Sequence, residues 1–157
     1  MSLDQWLLAL HVSGAFLLLG GTVTAGLFGV LALRSTRPSE IALFLGLTRV
    51  AVVLVGVGAI LTIVLGLWLV HRLDYGYGQF WVVASIVLWA ASSAASGIGG
   101  GRDKKTRLLA RRLATEGDAP SVELAAKLRD PVTLALSWGA GAGLLAVLAL
   151  MIWKPGA

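Results

Sequence analysis

Four stretches of this chain run for roughly twenty residues or more, the length needed to cross a bilayer, without one charged side chain. They are Gln5–Leu33, Val50–Val70, Phe80–Ile98 and Val132–Trp153. Hydrocarbon offers a backbone no hydrogen-bond partner, so each stretch has to close its own N–H···O=C bonds as a helix. The reading is therefore all-α, an integral membrane antiparallel four-helix bundle, with residues 1–157 as a single four-span domain. The connections fall at Arg34–Glu40, His71–Gln79 and Gly99–Pro131, and span two can extend inward from Ile41. Charged residues make up 13% of the chain and cluster between the spans. A soluble domain of ordinary composition carries roughly 25%. The start does not read as a secretory signal, since only Asp4 precedes an apolar run reaching almost to Arg34.

Charge placement sets an expected orientation. Of the 13 Lys and Arg residues, only Arg72 and Lys154 lie at the end of the bundle that holds the termini. The others sit at the first turn (Arg34, Arg37, Arg49) or in the long connection 99–131. The positive-inside rule then puts that basic loop in the cytoplasm and both termini outside, in a multi-pass protein of the inner (plasma) membrane. Trp6, Trp68, Trp81 and Trp153, with Tyr75 and Tyr77, fall at the outer interface, where amphipathic rings settle. Within the loop, "DKKTRLLARRLATEG" and "SVELAAKLRDP" read as two helical pieces, with Gly117 as a stop and Asp130–Pro131 as the entry to span four. The net charge of +5 is explained by this topology and points to the lipid bilayer as partner, not to nucleic acid.

Several chemistries are excluded. With no Cys there is no disulfide, thiolate metal site or thiol catalysis. Gly99–Arg102 lacks the Gly-Lys-Ser/Thr ending of a phosphate loop. No serine stands beside a His–carboxylate pair in sequence, so nothing points to an enzyme. No Asp or Glu lies inside a span, which leaves ion-coupled transport without its usual buried carboxylate.

An ionisable side chain within a span is a functional candidate by default, and His11 is the clear case. It lies about 10 Å along span one from the outer boundary at 1.5 Å per residue. His71, near the outer end of span two, is the second histidine. Two neutral imidazoles on adjacent helices can ligate haem iron or a metal ion. Gly14, one turn from His11, leaves room for a neighbouring helix or a flat macrocycle, so His11, His71 and Gly14 form the candidate cofactor site, with haem b as the cofactor considered. Asp74 is placed to orient His71. The competing reading gives His11 a structural hydrogen bond to a hydroxyl or a carbonyl across helices. A copper cluster of His11, His71 and Met151 is a third arrangement. Glycines in spans one, two and four and small residues in span three suit close helix packing, or a partner helix or second copy.

The segments "LHVSGAFLLLGG" and "LTIVLGLWLVHRLDYGYGQFWVVASIVLW" resemble a bacterial family of four-span predicted integral membrane proteins. That family is distantly similar to copper-resistance-D-type membrane domains and to the J-type protoporphyrinogen oxidase. The resemblance rests on the early histidine (His11), the pair Gly20–Gly21 and the Gly66–Leu69 ending of span two. It implies a four-span fold and a role for His11. Those relatives commonly carry a tryptophan just before the glycine pair, where this chain has Leu18 and Leu19, so the oxidase activity does not carry over. Three functions are thus expected: a structural or accessory subunit beside a larger membrane complex, a haem-binding or redox protein using His11 and His71, or a copper or small-molecule transporter.

Overall fold

The computed structural model describes residues 2–73 and 75–155. The helices are α1 (Leu3–Arg34), α2 (Pro38–Arg72), α3 (Phe80–Thr115), α4 (Val122–Leu128) and α5 (Pro131–Trp153), and no strand occurs among the described residues. Four helical segments are long and apolar enough to cross a membrane. The protein is an all-α membrane helical bundle.

The helix ends follow from local chemistry. Ser2 Oγ accepts from the Gln5 N–H and Gln5 Oε1 accepts from the Ser2 N–H, so a reciprocal capping box starts α1. Ser35 leaves the helix in an extended conformation, and Pro38 opens α2 at a position where its missing N–H costs nothing. Asp130 caps α5 by accepting from the Thr133 N–H and hydroxyl at 2.9 and 2.7 Å, with Pro131 next in line. Several hydroxyls inside the spans bond back to their own helix, as Thr22 does to the Leu18 carbonyl and Thr24 to the Gly20 carbonyl, both at 2.7 Å.

α1 packs along α2, α3 packs along α5, and α2 joins the two pairs, whereas α1 and α5 touch only sparsely. The α1–α2 pair is closed by glycines. A Cβ at Gly21 would stand 2.9 Å from the Val55 nitrogen, and one at Gly58 would strike the Leu18 nitrogen and the Gly14 carbonyl. Close backbone approach of this kind is how helices associate where no hydrophobic effect separates them from lipid. The outward faces are apolar: Phe16 is 70% exposed and Val23 63%.

One feature meets the sequence expectation and one differs from it. α2 starts at Pro38, so its inward extension is real. The two helical pieces expected within 99–131 are present, but α3 does not end at Ile98: it runs unbroken through Gly99–Gly101 to Thr115 and takes in the first of them. Each glycine costs about 1 kcal/mol of helix propensity. That cost is outweighed because Ala110 and Leu124 join Ala32, Ile41, Ala42 and Leu45 in a compact apolar core at the basic end. The stop at Gly117 stands, with φ of +125°.

Asp118 fastens this end. Its carboxylate accepts from both the Ser39 N–H and the Ser39 hydroxyl at 2.7 Å, capping α2 from 79 residues away. These donors hold its carboxyl below the usual carboxylate range. A lowered folded pKa means the cap contributes fully above that range and is lost as pH falls through Asp118's own value. Hydrogen exchange at the Ser39 amide is expected to be slow at neutral pH and to speed up on acidification. In Asp118→Ala it is expected to be fast at neutral pH, without that acid step.

Candidate ligand-binding site

At the end of the bundle that carries the termini, the two helix pairs part around a cavity of about 500 Å³. That volume lies within the range of small-molecule and cofactor pockets. Its walls are largely apolar: Val12 and Leu18 from α1, Ile63 and Val70 from α2, Val82 from α3, Leu144 and Val147 from α5.

His11 enters this cavity from α1. Its Nδ1 lies 3.0 Å from the Thr62 carbonyl oxygen. A carbonyl only accepts, so Nδ1 carries the proton and donates, and the neutral ring keeps its lone pair on Nε2. The contact depends on Gly66, one helical turn beyond Thr62 on the same face of α2. A Cβ at Gly66 would stand 2.9 Å from His11 Cε1 and 3.3 Å from Nδ1. The imidazole occupies the space that this side chain would fill. Among the described residues no hydrogen bond engages Nε2.

Three further polar atoms around the cavity are buried without a partner: Thr62 Oγ1, Ser85 Oγ and Trp89 Nε1. Thr62 is 7% and Ser85 5% exposed, so bulk water does not satisfy them. Each such orphan costs about 1–3 kcal/mol, and native interiors hold few of them. All three belong to residues that line the cavity, although the atoms themselves are enclosed by protein.

The terminal end of the cavity is closed by Tyr75, Trp81 and Lys154. The two rings meet edge to face at 5.7 Å, and Lys154 Nζ stands 4.9 Å from the Tyr75 ring centre and 5.6 Å from that of Trp81. Trp81 is held by donating from Nε1 to Gln79 Oε1 at 2.7 Å. Among the described residues, Lys154 is the one Lys, Arg, Asp or Glu that lines the cavity. Its amino group gives the mouth a positive pole. Along the loose α1–α5 seam, Val12, Phe16, Leu145 and Ile152 both line the cavity and are exposed, so it opens sideways.

The residues singled out in the sequence separate here. His11 lines the cavity, whereas His71 is exposed and does not. The expected orienting role of Asp74 lies outside the described residues. Gly14 does not leave an opening for a flat ligand: a Cβ there would meet Leu61 Cβ at 2.8 Å and the Thr62 nitrogen at 3.1 Å, so α2 takes the space. Gly14 instead lets the turn of α2 that carries Thr62 come close to His11. Met151 shares the cavity with His11, so the proposed copper trio retains two members. No group of three or more His, Asp or Glu able to hold a metal occurs among the described residues. Ser85 and Trp89 escape notice in the sequence, and Gly66 stands out there only in the Gly66–Leu69 ending of span two, not as the seat of the His11 ring. The i, i+4 spacing of Thr62 and Gly66 was the available sign, but it acquires meaning only once α1 is laid beside α2.

Residues 5–155 match the model of one family, described as "Predicted integral membrane protein (DUF2269)". No curated protein and no solved structure matches the chain.

Proposed function

The chain belongs to the DUF2269 family of predicted integral membrane proteins, and from that premise we propose that it binds a flat, largely apolar cofactor, with haem b as the candidate, whose iron His11 Nε2 would hold. The observation that supports this is the Nδ1–H bond of His11 to the Thr62 carbonyl over Gly66. Ligating histidines are commonly oriented by such a bond from their other nitrogen, which fixes the tautomer and makes the free nitrogen more basic. A lone interhelical hydrogen bond would satisfy the imidazole without a cavity beside it, and without three unpaired polar atoms in the walls. Lys154 suits a carboxylate at the mouth, and the apolar walls suit the ring faces. A bound haem would supply one-electron chemistry. The residues of the chain bind it, orient the imidazole and exclude water. With the eleven basic residues of the opposite end in the cytoplasm, the cavity lies in the outer half of the plasma membrane.

The test is the absorption spectrum of protein purified from cells supplied with haem. An intense Soret band at near one haem per chain is the expected result, and a colourless protein overturns the reading.

A second reading, as an accessory subunit, has its own observation. Gly20, Gly97 and Gly100 are exposed, and a Cβ at any of them meets nothing within 4 Å. Such open small-residue faces suit a partner helix. Isolation from native membranes as a lone chain would remove this reading.

A further inference from the structure

The basic end holds a second recess, of about 420 Å³, between α2 and α3. Three guanidinium groups line it: Arg49 from α2, and Arg107 and Arg111 from successive turns of α3. Among the described residues no acidic side chain lines it. Among the described residues the ion pairs are Arg72–Asp4, Arg102–Asp130, Arg112–Glu116 and Lys127–Glu123, and none includes any of these three arginines.

Arg107 is the unusual member. It is only 9% exposed, and its Nε is buried with no hydrogen-bond partner. A guanidinium cannot shed its proton to escape burial. A buried charge without a counter-charge is among the most costly features a fold can carry, and two like charges beside it add to the cost. The arrangement becomes favourable when an anion with several acceptor oxygens enters the recess. A phosphate group matches the planar fork of an arginine in this way.

The rest of the recess identifies which phosphate. Val50 and Val53, which line it next to Arg49, are 63% and 60% exposed and belong to the uncharged part of α2. Their faces continue from the arginines along the lipid-facing surface. A soluble anion has no use for that apolar strip, whereas an acyl chain lies along it. Gly46 widens the recess, since a Cβ there would meet nothing within 4 Å. From these observations we infer that Arg49, Arg107 and Arg111 form a binding site for the phosphate of an anionic phospholipid, whose acyl chain runs along Val50 and Val53. Net negative charge distinguishes this lipid from zwitterionic ones, because three arginines face no carboxylate. The site is separate from the His11 cavity and does not depend on its occupant.

The experiment uses the full chain in phosphatidylcholine vesicles containing either spin-labelled phosphatidylglycerol or spin-labelled phosphatidylcholine, and reads the motionally restricted fraction of each. Preference for phosphatidylglycerol is expected in the wild type, and a loss of about fivefold or more in that preference in Arg107→Gln. In non-ionic detergent without anionic lipid, Arg107→Gln is expected to unfold at the same temperature as the wild type or higher, because it removes an uncompensated charge. Gly46→Phe keeps all three arginines and fills the recess, and it is expected to lose the preference as well. This second variant decides the matter if Arg107→Gln does not fold. Equal restriction of the two lipids in the wild type overturns the site, as does a phosphatidylglycerol preference that survives in both variants. Displacement of phosphatidylglycerol by millimolar inorganic phosphate, with sodium chloride of equal ionic strength inert, assigns the recess to a free anion and overturns the lipid proposal.

Discussion

Gly58→Leu is expected to unfasten α1 from α2 and to produce the largest loss of stability of any single change in the bundle. A side chain at position 58 meets the Leu18 nitrogen and the Gly14 carbonyl, both backbone atoms, and the latter at 2.7 Å from the first carbon alone. Flexible side chains can rotate away from an intruder, but two helix backbones can only move apart. That separation also lifts Gly14 and Gly21 off the turns of α2 that they touch. Overpacking a tight interior costs up to about 3 kcal/mol, and more where backbone must move. Gly56, two residues earlier, provides the control: a Cβ there meets nothing within 4 Å, so Gly56→Leu is expected to leave stability nearly unchanged. Thermal unfolding of both variants in one detergent measures the difference. Similar midpoints for the two would show that α1 and α2 are not held by close backbone approach.

The second large effect concerns the cofactor. His11→Ala is expected to abolish the Soret band and His71→Ala to leave it intact, because only His11 lines the cavity. Gly66→Ala is the more informative variant. It retains the imidazole but places a methyl group 2.9 Å from Cε1, so the ring must swing and the bond from Nδ1 to the Thr62 carbonyl breaks. Loss of an orienting partner of this kind typically lowers ligand affinity by about 10–100-fold. Haem titration of the purified variants reads this directly. If Gly66→Ala binds haem as tightly as the wild type, His11 is not oriented through Thr62. If His11→Ala does so, it is not the ligand.

The sequence carried some of this and hid the rest, for physical reasons. The four spans were legible because the bilayer imposes one rule, long uncharged runs, on every crossing. Asp130–Pro131 and Gly117 were legible because capping is local chemistry. The continuity of α3 was hidden. Gly99–Gly101 look like a break between span three and the helical piece after it, and what holds the helix together there is Ala110 in one core with Ile41 and Leu45, distant parts of the chain. His11 stood out because an imidazole in a lipid span has no ordinary explanation. Gly14 was placed beside it correctly along the helix, but a missing side chain does not reveal what fills the space, and here α2 does. Ser85 and Trp89 resemble any serine and tryptophan of a membrane helix. Their unpaired atoms become visible only when four helices are assembled.

The long reach of the Asp118 cap has a consequence for biogenesis. Ser39 waits 79 residues for the carboxylate that completes its end of the helix. Synthesis proceeds from the amino end, so the first hairpin is delivered to the translocon before its fastener has been translated. Glycine contacts, the bond from His11 to the Thr62 carbonyl and the Arg72–Asp4 ion pair join α1 to α2 in that early hairpin without it. Its turn is secured only when the third helix has emerged, which makes the clasp a late checkpoint on the order of assembly.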